Sequence, residues 1–213
     1  MRSSAQGKSN SNHYNKFYAG EGWKTSLKST SAEILMIADL LKWQPGRKVL
    51  DLGCGQGLQT DVLRTLGFDV IGIDASHVGI QRAKKAHPDS SYICSDIADW
   101  EPSTSFDSIY CRCMSWFHYE LNGISRKGIN VPYEVARFFT WLPSGGEFVL
   151  QISTDFSGED TLESGGVLNN TLHAYYDLFA LFGEILFTRD WKGNEVDADK
   201  KPASGIILAV QKP

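Results

Sequence analysis

The chain has 213 residues, 42% apolar and 22% charged, an ordinary globular composition with enough length to bury a substantial core. Its formal net charge of −4 provides no broad positive field for a phosphate backbone, so nucleic acid is a poor partner. No apolar run is long enough to span a bilayer, and the polar start lacks the apolar stretch of a secretory signal, so the expectation is a soluble, cytoplasmic protein off the membrane.

Residues 1–12, rich in Ser and Asn, read as a disordered tail. A polar-aromatic arm follows, with Tyr14, Phe17, Tyr18 and Trp23. A helix is expected from about Ser31 to Trp43, with Ile34, Ala38 and Leu41 on one face and Ser29, Thr30 or Ser31 as cap. Pro45-Gly46 ends it. Strands and helices then alternate. Lys48 to Leu52 is a buried strand, Gly53 to Gly57 a glycine-rich turn, and Leu58 to Leu66 a helix stopped by Gly67. Asp69 to Asp74 is a strand, and Ser76 caps a helix running to about His87. Ser91 to Ser95 and Phe106 to Arg112 are strands. After an irregular stretch, Pro132 to Leu142 is a helix with proline in its first turn, and Glu147 to Ser153 is a strand. A polar loop precedes a helix from Thr171 to Phe182, and the strands Glu184 to Trp191 and Gly205 to Gln211 close the chain.

This alternation predicts an α/β fold, a three-layer sandwich around a seven-stranded, mostly parallel sheet. The final two strands have no helix between them, so the last strand is expected antiparallel.

The segment Val49-Leu-Asp-Leu-Gly-Cys-Gly-Gln-Gly57 lies between a strand and a helix, at the sheet edge where open α/β folds bind ligands. Glycines let a ligand approach the backbone, and the free amides of the following helix start favour a carboxylate, by roughly 0.3–1 kcal/mol. These residues resemble the first motif of the class I, Rossmann-like S-adenosylmethionine-dependent methyltransferases, an acidic residue followed by G-x-G-x-G: Asp51, Gly53, Gly55 and Gly57, with Cys54 inside the turn. A dinucleotide-binding loop would read G-x-G-x-x-G instead.

The resemblance extends along the chain. In Ile71-Gly-Ile-Asp-Ala-Ser76 it implies that Asp74, with Ala75 beside it, grips the ribose hydroxyls of S-adenosylmethionine; the plainer reading of Asp74 is a helix cap. In Cys94-Ser-Asp-Ile-Ala-Asp-Trp100 it implies adenine contacts from Asp96 and Ile97, with Trp100 serving either the ring or the core; the plainer reading of Asp96 is a turn former, against which stand three strand-end acids in the order the family shows. Arg112 ends the fourth strand facing the methyl donor, or pairs with a structural carboxylate. Tyr18 and Trp23 resemble an amino-terminal aromatic lid over the cofactor, or pack permanently on the sheet edge. The resemblance implies one methyltransferase domain over 13–213: a lid arm at 13–45, a cofactor half at 46–153 and a substrate side at 154–213.

On the acceptor side, His118 and Tyr119 in Ser115-Trp-Phe-His-Tyr-Glu120 are the candidates for catalysis. His118 has the intrinsic pKa of a base near neutrality, or it packs on an aromatic neighbour. The acceptor is expected to be a small molecule; a protein or RNA acceptor, or cofactor binding without turnover, are the alternatives. Cys54, Cys94, Cys111 and Cys113 lack partners at metal spacing, so no metal is invoked. Cys111 and Cys113 read as reduced, buried strand cysteines sharing one face.

Overall fold

A computed structural model describes residues 4–161, 167–197, 199–200, 202 and 205–213. Its main sheet has seven strands in the spatial order Ser91–Cys94, Asp69–Asp74, Lys48–Leu52, Ser108–Arg112, Glu147–Ile152, Ile206–Gln211 and Glu184–Asp190, and is flanked by helices, the expected fold. The chain falls into two compact units that divide between Ser103 and Thr104.

The first unit holds α1 (Ser4–Ala19), α2 (Leu27–Leu40), β1 (Lys48–Leu52), α3 (Leu58–Thr65), β2 (Asp69–Asp74), α4 (His77–Ala86) and β3 (Ser91–Cys94). β1 and β3 both pair in parallel with β2, placing Asp51 opposite Gly72 and Asp74 opposite Cys94. Val49, Leu50, Leu52, Ile73, Ile34 and Leu63 are fully buried, each such side chain contributing roughly 1.5–3 kcal/mol.

Two expectations fail here. Residues 4–12, read as a disordered tail, are the first half of α1; residues 1–3 lie outside the described residues. Ser and Asn are weak helix formers, so local sequence does not announce this helix. Tertiary bonds from one face hold it: Ser11 Oγ donates to the Ala75 carbonyl at 3.1 Å, and Asn15 Oδ1 accepts from Ser76 Oγ at 2.8 Å and the Val78 amide at 3.3 Å. Arg82 closes the far end, donating to the Gly20 carbonyl at 2.8 Å. The second failure is the start of α2, which is capped by Ser26, accepting from the Ser29 amide at 3.4 Å, rather than by Ser29, Thr30 or Ser31. By contrast, Ser76 caps α4 as expected, accepting from Gly79 N at 3.0 Å.

The second unit holds β4 (Ser108–Arg112), a 3-10 turn (Ser115–His118), α5 (Val131–Thr140), β5 (Glu147–Ile152), a two-strand ribbon of β6 (Asp160–Thr161) and β7 (Val167–Leu168), α6 (Leu172–Phe179), β8 (Glu184–Asp190) and β9 (Ile206–Gln211). β4 and β5 are parallel, and β9 is antiparallel to both β5 and β8, as the missing crossover helix requires. Every residue of β5 is buried. Phe148 meets Phe138, Phe139 and Phe179 at ring centroid distances of 6.2, 5.9 and 5.3 Å, an aromatic core worth roughly 0.5–1.5 kcal/mol per pair beyond its area. The four cysteines are free. The expected shared face of Cys111 and Cys113 fails, because the strand ends at Arg112 and Cys113 turns into the left-handed region at φ 50°. Among the described residues no helix is long and apolar enough to cross a membrane.

Candidate active site

The first unit holds eleven of the expected residues, most of them at the turn between β1 and α3 and at the end of β2. At the end of β1, the Gly53 and Cys54 amides both donate to the Ile73 carbonyl, at 2.9 and 3.0 Å, which ties the turn to the end of β2. Gly55 and Gly57 sit at φ 54° and 81°, a region that only glycine enters without strain. A β-carbon on Gly57 would stand 2.8 Å from the Ala83 methyl, and one on Gly55 would strike the Tyr18 hydroxyl. The turn therefore presents bare backbone by steric necessity as well as by conformation.

Asp74 closes this cradle. Its Oδ2 accepts from Gly55 N at 2.9 Å and its Oδ1 from Ser76 N at 2.7 Å. Burial pushes its carboxyl upward, and the two amide bonds oppose that shift. The helix-capping reading of Asp74 fails, because Ser76 is the cap of α4 and Asp74 accepts from the Ser76 amide just ahead of the helix; each carboxylate oxygen has two lone pairs, so one amide on each leaves acceptor capacity. Asp51 is buried below the turn and accepts from Thr60 Oγ1 at 2.6 Å. The Cys54 thiol is pushed well up by burial and by the charges of Asp51 and Asp74, so it stays protonated and is no nucleophile. The same carboxylates make the pocket favourable to a cationic ligand.

Tyr18 lies over the turn at 4% exposure, whereas Trp23 is 59% exposed. The Tyr18 hydroxyl is raised by burial first and by Asp74 next, while its bond with Trp23 works the other way. Trp23 reaches the turn through its carbonyl, which accepts from Gln56 Nε2 at 3.1 Å. Ala75 receives α1 through Ser11. Asp96 Oδ1 accepts from the Ala98 amide at 3.0 Å, so its turn-forming reading holds, and Ile97 beside it is buried. Trp100 is half-buried.

Several contributors escaped sequence reading. Gln56, Thr60, Arg82 and Tyr92 brace the turn, Tyr92 by donating to the Gly57 carbonyl at 3.2 Å, and Asn15 braces the start of α4 beside it. No spacing rule marks them, because each acts across the fold.

The second unit carries the other three expected residues. Arg112 places its guanidinium 4.9 Å above the Trp191 ring, a cation–π contact that neither sequence alternative included. His118 ends the 3-10 turn and is half-buried; burial alone lowers its pKa, and its Nδ1 has no hydrogen-bond partner among the described residues. Its imidazole is thus biased toward the neutral form that accepts a proton. Tyr119 is buried, and that burial raises its hydroxyl pKa, partly offset by a bond with Ser115.

Residues 49–146 match the model of a family described as a methyltransferase domain. The trans-aconitate 2-methyltransferase of Escherichia coli O1:K1 / APEC is 38% identical over 78 residues, 34% of this chain. The chain spans 31% of the length of that curated relative, and the same share of the Escherichia fergusonii protein of that name. Among solved structures, the N-methyltransferase NodS of Bradyrhizobium japonicum WM9 in complex with S-adenosyl-L-homocysteine superposes with a TM-score of 0.68 at 14% identity, over 95% of this chain and 98% of that one. Magnesium protoporphyrin IX methyltransferase of Synechocystis PCC 6803 with bound SAM gives 0.66 at 14% identity, over 98% and 97%.

Proposed function

We propose that this chain, whose residues 49–146 match the model of a methyltransferase domain, transfers a methyl group from S-adenosylmethionine to an oxygen or nitrogen of a small-molecule acceptor. The observation that carries this reading is the bare glycine turn closed by Asp74, with Gly55 N held at 2.9 Å from its carboxylate.

The residues present fit this cofactor. The Gly53–Gly57 turn, with Tyr18 packed against Gly55, would offer its backbone to the amino-acid moiety, and the Asp51 and Asp74 charges would favour its ammonium and sulfonium. Asp74, beside Ala75, accepts from the ribose hydroxyls; hydrogen bonds to a charged group contribute roughly 1.5–3 kcal/mol. Asp96 and the Ile97 amide contact the adenine. Tyr18 covers the turn and would exclude water there, with Trp23 joined to the turn through its carbonyl.

When bound, the cofactor supplies an electrophilic methyl on a sulfonium. The chain's part is alignment, which supplies roughly 7–11 kcal/mol of a barrier when the nucleophile is held in line. A neutral His118 takes the proton of an attacking O–H or N–H, and the Tyr119 hydroxyl, kept protonated by burial, donates to the acceptor. Arg112, on the Trp191 face, is assigned to an anionic part of the ligands. The net charge of −4 favours a small acceptor over RNA. Free cysteines agree with a cytoplasmic setting.

Calorimetry of the full chain with S-adenosylhomocysteine tests the cofactor site, and release of that product from pools of small alcohols, acids and amines tests turnover. Heat without turnover of any pool would make the chain a binder only; release with peptide or tRNA alone would move the acceptor class. Absence of heat on folded protein would overturn the reading entirely.

A further inference from the structure

Two buried side chains, Asn170 just before α6 and Tyr175 within it, are left unused by the reaction scheme. Asn170 is 5% exposed and Tyr175 fully buried. Asn170 Nδ2 donates to the Tyr119 carbonyl at 2.9 Å and to the Phe117 carbonyl at 3.3 Å. Tyr175 adds its hydroxyl to the same Phe117 carbonyl at 2.9 Å. Both of Asn170's partners are acceptors only, so the amide must present its nitrogen to them. Burial keeps the Tyr175 hydroxyl protonated and therefore a donor.

The placement of these three bonds is specific. The Phe117 carbonyl belongs to the peptide plane that precedes His118, and the Tyr119 carbonyl to the plane that follows Tyr119. Pinning both planes fixes the backbone of the two residues between them. The Phe117 ring completes the clamp by stacking on Phe179 of α6 at 5.8 Å. The turn's own bonding is short, with Tyr119 N donating to the Trp116 carbonyl at 3.1 Å, so a four-residue 3-10 turn has little stiffness of its own.

We propose that Asn170 and Tyr175 are positioning residues, which hold the Phe117–Tyr119 backbone so that His118 and Tyr119 present fixed side chains to the acceptor. The inference rests on the reading of His118 as the base. It also explains how a histidine Nδ1 stays buried without a partner: the clamp denies the imidazole the small backbone rotation that would take it to solvent. A polar atom left unpaired in the interior costs free energy, so it keeps that place only where the frame around it prevents relaxation or a ligand completes it.

The test is side-chain NMR of the five histidines in the full-length chain, with the His118 signal assigned by its loss in His118→Gln. In the wild type that imidazole is expected to titrate below its ordinary ~6.5. In Tyr175→Phe, Asn170→Ala and the double variant the midpoint should climb stepwise toward that value, while calorimetric affinity for S-adenosylhomocysteine stays within a factor of about two. An unchanged His118 titration in the double variant, with only the melting temperature lowered, would reduce the pair to ordinary core bonds and overturn the proposal. Tyr175→Phe removes a single oxygen, so it reports even if Asn170→Ala does not fold. Loss of the base reading would show separately, as undiminished methyl transfer by His118→Gln.

Discussion

The phenol of Tyr18 occupies the space that a β-carbon on Gly55 would need. The same ring comes within 3.0 Å of where a β-carbon on Gly79 would stand, in the first turns of α4. Two glycines from different elements are therefore cleared for one tyrosine of α1.

Gly79→Ala separates this packing from helix propensity. In a helix, alanine ordinarily gains up to about 1 kcal/mol over glycine. Here Gly79→Ala is expected to lower the thermal midpoint instead, and to lower it less when Tyr18→Ala has removed the ring. Strict additivity of the two substitutions in a double-mutant cycle would show that Tyr18 does not dictate glycine at position 79.

Asp74 has two duties that substitution should split. Asp74→Ala removes the ribose acceptor and also orphans the Gly55 and Ser76 amides, whereas Asp74→Asn keeps one acceptor oxygen. Both variants are expected to bind S-adenosylhomocysteine at least about 10-fold more weakly, and Asp74→Ala to melt lower than Asp74→Asn. Calorimetry and thermal melts on the same samples read the two effects apart; an unchanged affinity in Asp74→Ala would remove the ribose contact.

The pH dependence of stability carries a signature of His118. Its folded pKa is lowered by burial, so the unfolded chain takes up this proton first. The stability it contributes is present above the ordinary ~6.5 and is lost as pH falls from there through the lower, folded value. The difference in melting temperature between wild type and His118→Gln should therefore shrink on acidification from pH ~8 to pH ~5. A difference independent of pH would mean that the imidazole is not shielded.

Much of the fold and one side of the site are legible in the residues themselves. β1, β2 and the turn between β1 and α3 announce themselves through apolar runs and glycines, and Ser76 and Thr171 stand at the two helix starts they cap, accepting from Gly79 N at 3.0 Å and Ala174 N at 3.3 Å. These features depend on neighbours within a few positions of the chain. The helix at Ser4–Ala19 was not legible, because weak local propensity is overridden there by bonds to Ala75, Ser76 and Arg82 more than sixty residues away; the Ser26 cap, by contrast, is a local bond to the Ser29 amide in a run with several capping candidates.

Sequence alone determined the strand order's raw material, the glycine cradle and the acid that closes it, since backbone conformation and strand-end chemistry are local properties. Tertiary structure alone decided that Tyr18 covers the cradle, that Arg112 lies on Trp191, and that Asn170 and Tyr175 bracket the His118 turn. Burial is what separates the two groups: it favours partners for hidden polar groups such as the Phe117 and Tyr119 carbonyls, and those partners come from wherever the folded chain places them.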